Sequence, residues 1–201
     1  MLNDCEIRFE VKTYNTSGDM DKTTPISEID GSDFFTDFLE KALLNGEIDI
    51  AVHSAKDLPD KISDGLVIAA VTRSIDPYDV LISKNNLSLS ELPNGAKIAT
   101  SSIRRKEQLK KYRPDFQILD IRGNIEERLA KLDNSNLDGI VIAAAGLIRL
   151  GLENRITQKI PFEILVPHPM QGALAIETRK DNEEMINRVK KLDTRHIEKK
   201  R

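Results

Sequence analysis

The sequence predicts an α/β protein of two lobes, with mixed, mostly parallel sheets and a cleft between the lobes. Three observations carry that prediction. Short apolar runs alternate with helical patterns along most of the chain, the signature of strands joined by helical crossovers. At 201 residues, 39% hydrophobic and 31% charged, the chain can bury a real core and suits one large domain or two small ones. The pattern also breaks twice, at Asp76-Pro77 and over 166–169, as though the chain leaves one lobe for a second and then returns.

Taken in order, residues 6–13 read as a strand with Ile7, Phe9 and Val11 alternating, followed by a polar loop over 15–25. Ser32 or Asp33 can cap a helix striped by Phe35, Leu39 and Leu43 and stopped by Asn45-Gly46. Strands follow over 48–52 and 66–71, the second too short and too apolar to be anything but a buried strand. Residues 79–83 and 97–100 are further strands, separated by the turn Leu92-Pro93-Asn94-Gly95. A helix from 102 to about 112 ends before Pro114, and a strand covers 116–121. Asn124 and Glu127 have the spacing of a capping box, opening a helix with Ile125, Leu129 and Leu132 inward. Residues 139–144 are a strand and 146–150 a short helix. A strand over 173–177 and a charged amphipathic helix over 182–191 complete the pattern.

The two breaks give a discontinuous, incomplete first lobe, 1–75 plus 173–194, and a second lobe at 78–165, with 195–201 as the stub of a further domain. That layout is the two-lobed, periplasmic-binding-protein-like (type II) arrangement, in which a ligand lies between lobes.

Composition narrows the function. A net charge of −3 argues against general nucleic-acid binding, which shows a basic excess. Aromatics are 4% and Trp is absent, too few for single-strand stacking platforms. Cys5 is the single cysteine, so an internal disulfide framework is impossible and a reducing cytoplasm is the expected compartment. The three histidines and Cys5 lie far apart without ligand spacing, which argues against a metal site. No apolar run approaches the roughly 20 residues of a membrane helix, and no signal-peptide pattern opens the chain. A monomer free of membrane and nucleic acid is expected.

Two clusters carry chemistry. His53-Ser54-Ala55-Lys56-Asp57-Leu58-Pro59 puts a base, a hydroxyl, a cation and a carboxylate where a strand ends, the usual ligand position in open α/β sheets. Thr100-Ser101-Ser102-Ile103-Arg104-Arg105 repeats the logic with hydroxyls and a guanidinium pair. Arg122 follows the next strand, Arg128 lies one turn into the next helix, and Arg149 follows the strand after that. All five arginines are expected at the carboxyl edge of one parallel sheet, near two helix N-termini. Guanidinium forks suit carboxylates because each donates two parallel hydrogen bonds. For any single arginine, a solvated or Glu-paired surface role competes evenly; the group favours a ligand. Asp57 has two readings: a turn cap before Pro59 paired with Lys56, or a cleft carboxylate exchanging a proton with substrate. His53 and His168 read as structural, and Gln171-Gly172 as a close backbone approach at the second crossover.

These segments resemble the porphobilinogen deaminase (hydroxymethylbilane synthase) family. The likeness is carried by the two clusters above, by Ile121-Arg122-Gly123-Asn124, Lys131-Leu132-Asp133-Asn134, Ala144-Ala145-Gly146-Leu147-Ile148-Arg149-Leu150-Gly151 and Gln171-Gly172-Ala173-Leu174. It implies a transferase of heme and porphyrin biosynthesis that joins four porphobilinogen units into linear hydroxymethylbilane and releases ammonia at each step. It implies that Asp57 is the catalytic carboxylate. Ser54, Lys56, Thr100, Ser101, Arg104, Arg105, Arg122, Arg128, Arg149, Gln171 and Gly172 would then hold carboxylates of substrate and growing chain. Thr16 and Asp19 match a segment at the active-site edge. The family uses a dipyrromethane cofactor tethered to a cysteine of a third domain, which is absent from this chain; Cys5 is not that cysteine. Gly31-Ser32-Asp33 stands where the family has a lysine–glycine loop, and Met170 where glycine is usual. The alternative from the residues alone is a non-catalytic two-lobed module that clamps a small polycarboxylate.

Overall fold

The computed structural model describes residues 8–14, 36–59 and 61–195. They form α1 (Asp37–Leu44), β1 (Ala51–Ser54), β2 (Leu66–Val71), β3 (Asp79–Ser83), β4 (Lys97–Ala99), α2 (Ile103–Tyr112), β5 (Gln117–Leu119), α3 (Ile125–Asn134), β6 (Gly139–Ala143), α4 (Ala144–Leu150), β7 (Gln158–Lys159), β8 (Leu174–Arg179) and α5 (Glu183–Val189). Single 3₁₀ turns cover Ala55–Asp57, Glu153–Arg155 and Lys190–Leu192. The chain divides into two compact units; the second takes in 76–172, and the first the described residues on either side.

In the first unit β8 lies between β1 and β2 and runs antiparallel to both. Leu43 of α1 packs with Ala51 and Leu66, flanked by Leu39, Ile48 and Ile62. Val189 of α5 packs with Ala69, Ala70 and Ile176. Gly46, at φ +73°, lets α1 end in a left-handed turn that returns N–H groups to the carbonyls of Leu43 and Ala42.

β1 begins three residues later than the apolar run 48–52 suggests. Ile48 and Ile50 serve as core flanks instead. The strand then alternates with Ala51 and His53 inward and Val52 and Ser54 outward. A one-residue change of register swaps the faces of every side chain, and here the inward place goes to an imidazole because a carboxylate waits for it. Residues 8–14 form no strand: they pair with no described strand, and Phe9 and Val11 are exposed.

The second unit is a five-stranded sheet in the order β5-β4-β6-β3-β7. β4 runs parallel to β5 and to β6; β3 runs antiparallel to β6 and β7. Parallel pairing is therefore a smaller share than expected among the described residues. The reason lies at the crossovers. β8 starts beside the end of β2, with Thr72 N donating to the Leu174 carbonyl at 2.9 Å, so it runs back along the sheet. β3 likewise starts opposite the end of β6, Asp79 facing Ala143.

Both faces of this sheet are covered, which is why β3 and β6 read as unbroken apolar runs. Val80, Ile82, Ile140 and Ile142 face Leu129 and Leu132 of α3 and Leu147 of α4. Leu81, Val141 and Ile98 face Leu109 of α2 with Phe116, Ile160 and Leu165. The capping box is formed: Glu127 N donates to Asn124 Oδ1 at 2.8 Å and Asn124 N to Glu127 Oε2 at 2.9 Å. The short strand β7 escapes periodicity because two residues carry none.

Candidate functional site

Sheet order decides where the candidate residues lie. Because β4, β5 and β6 are adjacent and parallel, their carboxyl ends share one edge of the second unit. Thr100 and Ser101 follow β4, Arg104 and Arg105 occupy the first turn of α2, and Arg122 follows β5. Arg128 begins the backbone ladder of α3, its N–H on the Asn124 carbonyl at 3.0 Å. Arg149 stands farther from β6 than the sequence suggests, in the last turn of α4, because that helix begins directly at Ala144.

The edge is held by its own polar groups. Thr100 is fully buried and its hydroxyl accepts from Ser102 N at 3.5 Å. The Ser101 hydroxyl donates to the Ile121 carbonyl, joining the ends of β4 and β5. Arg128 Nε donates to the Gly123 carbonyl at 2.7 Å, and Lys131 Nζ to the Arg122 carbonyl at 2.8 Å. Arg122 is itself buried. Arg149 Nη2 donates to the Gly172 carbonyl at 2.8 Å. Desolvation lowers the Arg149 pKa from its ordinary value, which leaves a guanidinium charged at neutral pH.

The guanidinium pair does not stand open as the sequence suggests. The first turn of α2 carries no acid to offset two cations against the helix dipole. The compensating carboxylate comes from β3. Arg104 Nη2 donates to Asp79 Oδ2 at 2.8 Å, and Arg105 Nε to Asp79 Oδ1 at 2.9 Å. Gln171 Nε2 donates to Asp79 Oδ1 at 3.0 Å and to the Pro77 carbonyl at 2.6 Å. The Arg105 side chain is 6% exposed and that of Arg104 27%. No sequence motif singles out Asp79; its one signal is a carboxylate opening the apolar run Asp79-Val80-Leu81-Ile82, where an unpaired charge is costly.

In the first unit β1 delivers its cluster through the turn Ala55–Asp57. His53 and Ser54 lie within the strand, and Ala55 N donates to the Ala173 carbonyl at 3.1 Å. His53 is buried against Glu177 of β8, with Nε2 and Oε2 2.9 Å apart. Glu177 likewise belongs to no sequence motif, another carboxylate inside a mostly buried strand. Ser54 and Asp57 are exposed, and Lys56 is half-buried. The Asp57 carboxylate makes no hydrogen bond or ion pair with any described residue. Thr16, Asp19 and Cys5 lie outside the described residues.

His168 accepts the Met170 N–H on Nδ1 at 3.2 Å and shapes the turn before Gln171. Gly172 sits at φ +83°, a conformation that favours glycine. Among the described residues no group of three or more His, Cys, Asp or Glu side chains is placed to hold a metal ion. Nor is any described helix long and apolar enough to cross a membrane.

Residues 1–187 match the family model described as porphobilinogen deaminase, dipyromethane cofactor binding domain. The chain is 46% identical over 188 residues to a porphobilinogen deaminase of Syntrophomonas wolfei, covering 94% of this chain and 61% of that protein. It is 48% identical over 191 residues to one of Geobacillus kaustophilus, covering 94% and 62%. The chain thus spans about three fifths of the length of the curated relatives it matches. Among solved structures, the methionine binding protein MetQ is similar at TM-score 0.49 and 19% identity, over 76% of this chain and 72% of that one.

Proposed function

This chain belongs to the porphobilinogen deaminase family, and from that premise we propose that it carries the condensing chemistry of hydroxymethylbilane synthase. The reaction joins porphobilinogen units head to tail and releases one ammonia per unit. The observation that carries the reading is the Asp57 carboxylate, exposed and unengaged by the described residues, at the carboxyl end of β1. A carboxylate in that state is available to a substrate.

In each cycle the aminomethyl C–N bond breaks and its electron pair leaves with nitrogen as ammonia. The electron-rich carbon of the receiving pyrrole forms the new C–C bond and then gives up its proton. Asp57 is proposed to steady the positive charge that spreads to the pyrrole nitrogen and to move the proton. Each pyrrole carries an acetate and a propionate. Ser54, Lys56, Thr100, Arg104, Arg105, Arg122, Arg128, Arg149 and the Gln171-Gly172 backbone are proposed to hold these groups, with Ser101 fixing the strand ends behind them. Thr16 and Asp19 are included by family likeness. A cytoplasmic monomer is part of the same proposal.

The guanidinium and hydroxyl donors at the carboxyl edge of β4, β5 and β6 fit a dipyrromethane, which bears the same carboxylate side chains. When bound, that group supplies the pyrrole from which the chain grows. No residue of this chain is assigned its covalent tether.

The test is incubation with porphobilinogen, following ammonia release. Release by the parent chain and its loss in Asp57→Asn are expected; equal release by Asp57→Ala overturns the assignment of Asp57. Calorimetry with porphobilinogen against simple dicarboxylates decides the substrate class, since equal affinity for both favours a mere polycarboxylate clamp.

A further inference from the structure

Asp79 has no place in the chemistry above, yet its carboxylate is bonded on both oxygens by three described side chains. It is 0% exposed. Four contacts reach it: Arg104 Nη2 on Oδ2 at 2.8 Å, Arg105 Nε and Nη2 on Oδ1 at 2.9 and 2.6 Å, and Gln171 Nε2 on Oδ1 at 3.0 Å. A carboxylate offers about four lone-pair sites, so these donors come close to saturating it. Asp79 is thereby a strong anchor for both guanidiniums.

Successive residues of a helix point about 100° apart, so Arg104 and Arg105 do not converge by helix geometry alone. One shared acceptor makes them converge. Arg104 is tied a second time, its Nη1 donating to the Val166 carbonyl. Those two bonds engage two of its five N–H donors, and the side chain keeps 27% of its surface in solvent. The outer edge of Arg104 is therefore held in one orientation with donors to spare. Gln171 braces the arrangement from the other side: its Nε2 also donates to the Pro77 carbonyl at 2.6 Å, and its Oε1 accepts from Arg105 Nη2 at 3.3 Å.

We infer that Asp79 is a positioning residue: it anchors the buried Arg105 and the inner edge of Arg104 so that the outer edge of Arg104 meets a pyrrole carboxylate in a preset orientation. The inference rests on the reading that these arginines bind substrate carboxylates. Preorganised forks gain affinity because less side-chain freedom is lost on binding, and a purely structural Asp79 predicts no such link.

The experiment compares the parent chain with Asp79→Asn and Gln171→Met. Porphobilinogen affinity is measured by calorimetry, and arginine Nε–H signals are recorded by NMR on the unliganded proteins. The parent is expected to show a solvent-protected Arg105 Nε–H. In Asp79→Asn that protection is lost, the amide spectrum stays folded, and the dissociation constant rises at least tenfold. Unchanged protection, or affinity within twofold of the parent in a folded Asp79→Asn, overturns the inference. If Asp79→Asn does not fold, Gln171→Met decides: a severalfold loss of affinity with altered Arg105 exchange is expected, and no change in either overturns it. Should the parent chain itself not bind porphobilinogen, the functional reading fails separately, and the NMR comparison alone judges whether Asp79 orients the arginines.

Discussion

His53 Nε2 and Glu177 Oε2 lie 2.9 Å apart inside the first unit, one on an edge strand and one on the central strand of the same sheet. The second oxygen of Glu177 is buried without a hydrogen-bond partner among the described residues. Removing either partner leaves a buried polar group unmet. Glu177→Ala is expected to cost about 1–3 kcal/mol for the orphaned imidazole, before any cavity cost. The double variant His53→Phe with Glu177→Leu should recover part of that loss, since an apolar pair of similar volume often replaces a buried polar pair without penalty. Urea unfolding of the four proteins of the cycle measures the coupling. Strictly additive losses would show that the two side chains do not interact.

Asp57 offers the opposite case. Its side chain is exposed and makes no hydrogen bond or ion pair with a described residue, so Asp57→Asn should change stability by no more than about 0.5 kcal/mol. Ammonia release from porphobilinogen should nevertheless disappear. Thermal unfolding beside the activity assay checks both halves, and a large drop in melting temperature would point to a structural role instead.

Asp115 gives a pH signature. Hydrogen bonds from Arg113 and from the Gly95 N–H pull its pKa down to about 2 from an ordinary 3.8. A depressed carboxylate stabilises the fold above its unfolded pKa, and that contribution is lost as pH falls through the folded value. The difference in melting temperature between the parent and Asp115→Asn should be constant from pH 7 to about 5. It should then shrink between about pH 4 and 2. A difference that persists unchanged at pH 2 contradicts the pairing.

Gly139 begins β6 where a side chain has no room. A Cβ there would stand 2.9 Å from Leu81 Cδ1 and 3.2 Å from the Ile82 carbonyl oxygen. Leu81 can yield, but the carbonyl belongs to the paired strand β3 and cannot. Gly139→Ala should destabilise by about 1–3 kcal/mol, read from denaturant midpoints. Adding Leu81→Val should relieve only part of it; complete rescue would mean that the backbone contact is harmless.

The capping box makes the mildest claim. Asn124→Ala removes the acceptor for Glu127 N and should cost about 1 kcal/mol. An equal loss in Glu127→Ala, with little added in the double variant, is expected of two reciprocal bonds; full additivity would speak against the box.

Much of this molecule could be read directly from residue order. The 3.6-residue stripe of Ile125, Leu129 and Leu132, the Asn124 cap, the apolar runs of β2, β3 and β6 and the glycine stop at Gly46 are local signals, each set by neighbours within a turn. The motifs around Asp57 and Arg104-Arg105 were equally visible, because strand ends and helix starts carry their own composition. Other features depend on partners distant in sequence. That β1 turns His53 inward is decided by Glu177, 124 residues away. That Arg105 is buried is decided by Asp79, 26 residues earlier on another strand. Antiparallel β8 follows from where the chain re-enters its sheet, which periodicity does not encode. Residue order determined the elements and the chemistry available to them. Tertiary structure decided which charges face each other, since the cost of burying a charge can be judged only once its neighbours are known.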